Sequence, residues 1–161
     1  MVRYRIYQFI NAISMRHAPP LPNEAALLLN QKEFALFQRM TVFDKHHSLT
    51  VYLELASKHP NNVHLLKAAL LHDIGKGRPS VIHRAALVLA KALIPQHLAG
   101  WDQFSPNGFK GQVYSLSQHA EASASFLSLA GSHQRVIELV SHQESPFDAD
   151  SRLLAEVDSR C

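Results

Sequence analysis

Cysteine is almost missing from this chain: there is one in 161 residues, and it is the last, Cys161. An internal disulfide framework is therefore excluded, and the usage suits a reducing compartment. Long apolar runs are missing too, since none approaches the ~18 residues of a membrane-spanning helix. The N-terminus carries Arg3, Arg5 and Arg16 but no signal-peptide cleavage pattern, so the expected location is cytoplasmic. Net charge is only +3, with a pI near 9.2. That bias suits an anionic ligand and is too diffuse to mark a nucleic-acid binder. The 47% hydrophobic content is enough to build one core in one domain.

Histidine, by contrast, is plentiful, with eleven in the chain. Surface histidines are common, so the informative ones fall near one another on apolar helix faces. Val2 to Met15 sets Tyr4, Tyr7, Phe9, Ile10 and Ile13 among basic groups and predicts a helix. Pro19, Pro20 and Pro22 form a stiff connector, and Asn23 offers a cap for one or two helices over Glu24 to Met40. Further helices are predicted over Thr41 to Lys58, Val63 to Ile74, Val81 to Ile94, Gln112 to Ala130, His133 to Gln143 and Asp150 to Arg160. Pro95 to Gly111 reads as a long connector. The expected fold is all-α and a single compact domain.

One stretch organises these helices: Ala68-Ala69-Leu70-Leu71-His72-Asp73-Ile74-Gly75-Lys76. An apolar helical run ends in an imidazole and a carboxylate. Gly75 follows, suited to the positive φ of a helix end, and then Lys76, where a cation meets the negative end of the helix dipole. The His-Asp pair alone carries little weight, because chance gives about 0.4 such dipeptides at this composition. Helix arithmetic carries more. His47 lies 13 residues before Pro60 and His72 lies 12 after it, so in an antiparallel pair both stand ~18–20 Å from the turn. His119 and His142 stand 12 before and 11 after Gly131, and a second pair would make them level. His46 and His47 both have apolar partners at helical spacing, and periodicity does not choose between them.

Leu70-Leu71-His72-Asp73-Ile74-Gly75-Lys76 and His47-Ser48-Leu49-Thr50-Val51 resemble the central and first-histidine motifs of the HD-domain superfamily. These are all-helical, metal-dependent phosphohydrolases. The pattern His47, His72-Asp73, His119, His142, Asp158 resembles the H…HD…H…H…D arrangement of the two-metal branch, across roughly residues 41 to 160. The resemblance selects His47 over His46. It implies an HD-domain helical bundle over 41–161; residues 1–40 lie outside its motifs and are expected to form an N-terminal helical extension packed on the same domain.

On that resemblance, His47, His72, Asp73 and Asp158 would hold one divalent ion, and His119 and His142 a second, with Asp73 bridging. Fe or Mn is favoured, and Co, Ni, Zn and Mg also fit the donor types. The implied reaction is hydrolysis of a phosphate ester or anhydride of a nucleotide-like substrate, with metal-activated hydroxide as nucleophile. Asp73 and Lys76 are the catalytic candidates, and Lys76, Arg78, Arg84 and Lys110 are candidates to hold the substrate phosphate. The expected partner is a small phosphorylated molecule rather than a membrane or a nucleic acid. Two other classes share the ligand pattern: an HD-fold mixed-valence diiron oxygenase, and a non-catalytic regulatory module stabilised by its metal.

Overall fold

Polar caps and backbone breaks divide the chain into helices. The computed structural model describes residues 20–77, 81–105 and 107–161, and among these there are ten α-helices, two 3-10 turns and no strand. In order they are α1 (Asn23–Leu28), α2 (Gln31–Arg39), α3 (Val42–Lys58), α4 (Val63–Leu71), a 3-10 turn (Ile74–Lys76), α5 (Val81–Leu93), α6 (Pro95–Leu98), a second 3-10 turn (Ala99–Gln103), α7 (Phe109–Ser117), α8 (His119–Leu129), α9 (Gln134–Ser141) and α10 (Ala149–Arg160). Side chains supply the start signals: Asn30 forms a capping box with Glu33, Thr41 and Asn62 cap α3 and α4, and Asp148 pairs with Ser151 ahead of α10.

Helix α4 is apolar around most of its circumference, burying Leu65, Leu66, Ala68, Ala69, Leu70 and Leu71, and so it becomes the central rod of the core. Helix α3 packs along it, with α9, α10 and α2 also against it. Helices α8 and α9 form a second pair, turned at Gly131 in the left-handed conformation (φ 72°). There Ser132 N donates to Leu127 O at 3.0 Å, closing the end of α8. A small satellite core of Ala90, Leu98 and Val113, flanked by Ala86, Leu87 and Trp101, ties α5, α6 and α7 together. Ala25, Leu29 and Phe37 belong to the same main core as α3 and α4. The result is the expected all-α, single compact domain. No helix among the described residues is long and apolar enough to cross a membrane.

Four local expectations change. Asn23 lies inside α1, where Pro22 holds the cap position, and Asn30 caps the second of the two helices over Glu24 to Met40. The connector Pro95 to Gly111 contains α6 and a 3-10 turn. The helix over Gln112 to Ala130 breaks at Gln118 (φ −103°, ψ 16°), so His119 opens α8 instead of lying mid-helix. Gly75 does not have a positive φ; the left-handed residue is Gly77, at φ 67°. The helix expected over Val2 to Met15 lies outside the described residues.

Candidate metal centre

Three breaks in the helices bring the chemistry together. His72 and Asp73 follow the last residue of α4, His119 opens α8, and Gln143 lies just past α9. At two of these breaks the backbone fixes the imidazole. His72 Nδ1 donates to Ala69 O at 3.0 Å and His119 Nδ1 to Leu116 O at 2.9 Å, each carbonyl three residues back. A ring nitrogen that donates to a carbonyl leaves the other one as the lone-pair site, so both Nε2 atoms are available as ligands.

Around His72 Nε2 the donors close into a shell. His47 Nε2 is 3.3 Å away, Asp158 Oδ1 3.2 Å and Asp73 Oδ1 3.4 Å, while His47 Nε2 and Asp158 Oδ1 are 2.7 Å apart. Ligands held at ~2.0–2.2 Å from one ion stand about 2.8–3.6 Å from each other, so the three separations from His72 Nε2 match the edges of a coordination polyhedron. The 2.7 Å between His47 and Asp158 is a hydrogen bond. His47, His72 and Asp73 form the cluster able to hold a metal, with Asp158 against two of its members.

A cation also answers a deficit. Asp73 is 1% exposed; its Oδ2 accepts Lys76 Nζ at 2.6 Å, yet its Oδ1 is buried without a hydrogen-bond partner. An unpaired buried carboxylate oxygen is costly unless a metal or a proton meets it. The residues present therefore fit a divalent ion.

Burial works against every charge here, and the charges outweigh it. It pushes the Asp73 carboxyl up, but His72, Lys76, His47 and His119 hold it well below the usual carboxylate range. Asp158 is likewise lifted by burial and brought far down by hydrogen bonds and charge from His47 and His72. Burial lowers His72, while Asp73 and Asp158 together hold it up at about 9. The carboxylates thus recruit a proton onto His72 in the metal-free chain, and a divalent ion would satisfy the same demand. His119 goes the other way: burial and the Lys76 ammonium push it down against the pull of Asp73.

The turn carrying His72 and Asp73 is clamped onto α8. Gly75 N donates to Ser123 Oγ at 2.8 Å, and that hydroxyl donates to His72 O at 2.8 Å. A Cβ on Gly75 would meet the His119 carbonyl oxygen and lie within 2.8 Å of Ser123 Oγ. Glycine is required here by close approach.

His47, His72, Asp73 and Asp158 come together, with Lys76 at the rim and His119 Nε2 3.7 Å from Asp73 Oδ1. Asp158 is 35% exposed and marks the open side. His142 is not drawn in: it is exposed, with Nδ1 3.0 Å from Glu138 O and the ring edge-on to Phe147. Gln143 Nε2 instead lies 2.6 Å from His119 Nε2. Lys110 has its ammonium over the rings of Phe104 and Trp101, at 4.4 and 5.6 Å. Arg84 stands in the first turn of α5, and Arg78 lies outside the described residues.

Sequence reasoning missed Gln143 and Ser123. Equal counting from Gly131 would have found the first, since 12 residues back is His119 and 12 ahead is Gln143. No protein-family model matches the chain, and neither a curated protein nor a solved structure matches it.

Proposed function

We propose that the chain is a metal-dependent phosphohydrolase of the HD-domain type, cleaving a phosphate ester or anhydride of a small nucleotide-like molecule in the cytoplasm. Residues 41–161 would form the catalytic domain and 1–40 its extension. The observation that carries the reading is the cluster of His47, Asp73 and Asp158 around His72 Nε2, in which Asp73 Oδ1 has no hydrogen-bond partner and a lysine ammonium stands 2.6 Å from the other Asp73 oxygen.

A divalent ion held there, Mn²⁺ or Fe²⁺ by preference, supplies Lewis acidity that lowers the pKa of a water and neutralises phosphoryl charge. The chain's own residues do the rest. Asp73 and Asp158 stay ionised under the surrounding positive charge, so they remain ligands. Lys76 is 22% exposed on its side chain, and an ammonium there can meet a phosphoryl oxygen while still tethering Asp73 Oδ2. In the reaction the phosphorus–oxygen bond to the leaving group would break with its electron pair staying on the leaving oxygen, one to a water oxygen would form, and the proton lost by that water would end on the leaving oxygen or in solvent.

The test is anaerobic assay of Mn²⁺-loaded protein against nucleotides and simple phosphate esters. Phosphate release is expected from the native sequence and absent from Asp73→Asn. Lys76→Ala should lower turnover about tenfold or more with metal content kept. Silence across the panel, together with oxygen uptake by the iron-loaded protein, would assign the site to oxygenase chemistry instead.

A further inference from the structure

We propose that Gln143 supplies a ligand for a second cation position beside the first, through its side-chain amide oxygen, together with His119 Nε2 and Asp73 Oδ1. The inference rests on reading the first cluster as a metal centre. It replaces His142 as the expected partner of His119.

Two buried oxygens in this corner have no hydrogen-bond partner: Asp73 Oδ1 and Gln143 Oε1. Both belong to groups that surround one imidazole nitrogen. His119 Nε2 is 3.7 Å from Asp73 Oδ1 and 2.6 Å from the Gln143 amide nitrogen. With Nδ1 donating to Leu116 O, Nε2 carries a lone pair. Leaving one buried acceptor unpaired costs about 1–3 kcal/mol, and here two such acceptors belong to side chains that flank the same imidazole. Asp73, Gln143 and His119 are 1%, 8% and 9% exposed, so the corner is built into the core.

The amide has two uses. Its N–H donates to His119 Nε2 and caps the lone pair, which suits the corner without an ion. A half-turn of the amide exchanges nitrogen for oxygen without moving the backbone. The amide oxygen, the imidazole lone pair and the carboxylate oxygen then face one another as three acceptors, a set that suits a cation. His142 does not take this part from its present position, because its ring lies exposed on the outer side of the turn, edge-on to Phe147, and away from the buried corner. The set is one imidazole, one neutral amide oxygen and one carboxylate already engaged by the first ion. Such a position is weaker than the first and favours hard ions such as Mn²⁺.

Calorimetric titration of the metal-free chain with Mn²⁺, read with Mn²⁺ spin resonance, tests this. The native chain should bind two Mn²⁺, one tight and one weaker, and the pair should show spin coupling. Gln143→Leu should lose the weaker ion and the coupling while keeping the tight one. Gln143→Glu, which adds a charge and keeps the shape, should tighten the weaker ion about tenfold or more. His142→Gln should leave both unchanged. One Mn²⁺ at saturation in the native chain, a retained coupled pair in Gln143→Leu, or loss of the second ion in His142→Gln would each overturn the proposal and leave the first site standing. No Mn²⁺ binding at all would overturn both readings.

Discussion

At the residue scale the site depends on groups that touch no ligand. Gly75 and Ser123 set the distance between the His72-Asp73 turn and α8, and Gly77 ends that turn at a positive φ of 67°. The two glycines are needed for different reasons. Gly75→Ala puts a methyl group onto the His119 carbonyl and Ser123, whereas Gly77→Ala meets nothing within 4 Å and only takes on a left-handed φ. Overpacking costs roughly 1–3 kcal/mol or more, and Gly77, at φ 67° and ψ −140°, sits in a region almost reserved for glycine, where an alanine costs about 1–3 kcal/mol. Urea melts should therefore show a loss of stability in both variants. Only Gly75→Ala should also lower metal content, because it pushes His119 and His72 apart. Equal metal content in the two variants would show that the clamp does not set the site. From sequence, Gly75 reads as a helix-end glycine, because adjacency to α8 is invisible until the fold exists.

At the element scale one carboxylate joins three segments of the bundle. Glu33, in the first turn of α2, is fully buried and accepts from Asn30 N at 2.7 Å, Lys67 Nζ of α4 at 2.9 Å and Ser132 Oγ of the α8–α9 turn at 2.8 Å. Burial raises this carboxyl, but those three donors outweigh it and bring it below the ordinary 4.5. A depressed folded pKa contributes stability that is present above the unfolded value and lost as pH falls through the folded one. Glu33→Gln should thus destabilise the protein by roughly 2–4 kcal/mol at pH 7, and the gap should narrow as the pH falls below the ordinary 4.5. Urea midpoints at pH 7 and pH 3.5 measure it, and a gap independent of pH would refute the linkage. The sequence discloses the helices around this network better than the network itself. The apolar run Leu65 to Leu71 announces a buried rod, and the counts to His47 and His72 foretell their meeting, because rise per residue is a local quantity. The break at Gln118 and the outward turn of His142 follow from cap competition and tertiary contact, which periodicity does not encode.

At the scale of the whole molecule the candidate metal ligands come from segments that lie far apart in the chain. His47 comes from α3, His72 and Asp73 from the end of α4, and Asp158 from α10, 111 residues beyond His47. An ion bound there acts on the native state alone, because the unfolded chain does not gather these ligands. Its contribution is RT ln(1 + [L]/Kd), about 2.7 kcal/mol when free metal stands at one hundred times Kd. For a domain of this size each kcal/mol moves the melting temperature by roughly 2–4 °C, so chelation should lower it by about 5–10 °C. Added Mn²⁺ should restore it, and every further tenfold in free metal should add about 1.4 kcal/mol. The test needs Asp73→Asn as its control. That variant keeps the shape of the carboxylate but removes the charge around which the cluster is built, so its melting curve should respond to neither chelator nor Mn²⁺. Native protein whose melt ignores both reagents would mean that the shell of His47, His72, Asp73 and Asp158 holds no ion. A native response shared in full by Asp73→Asn would move the ion elsewhere on the molecule.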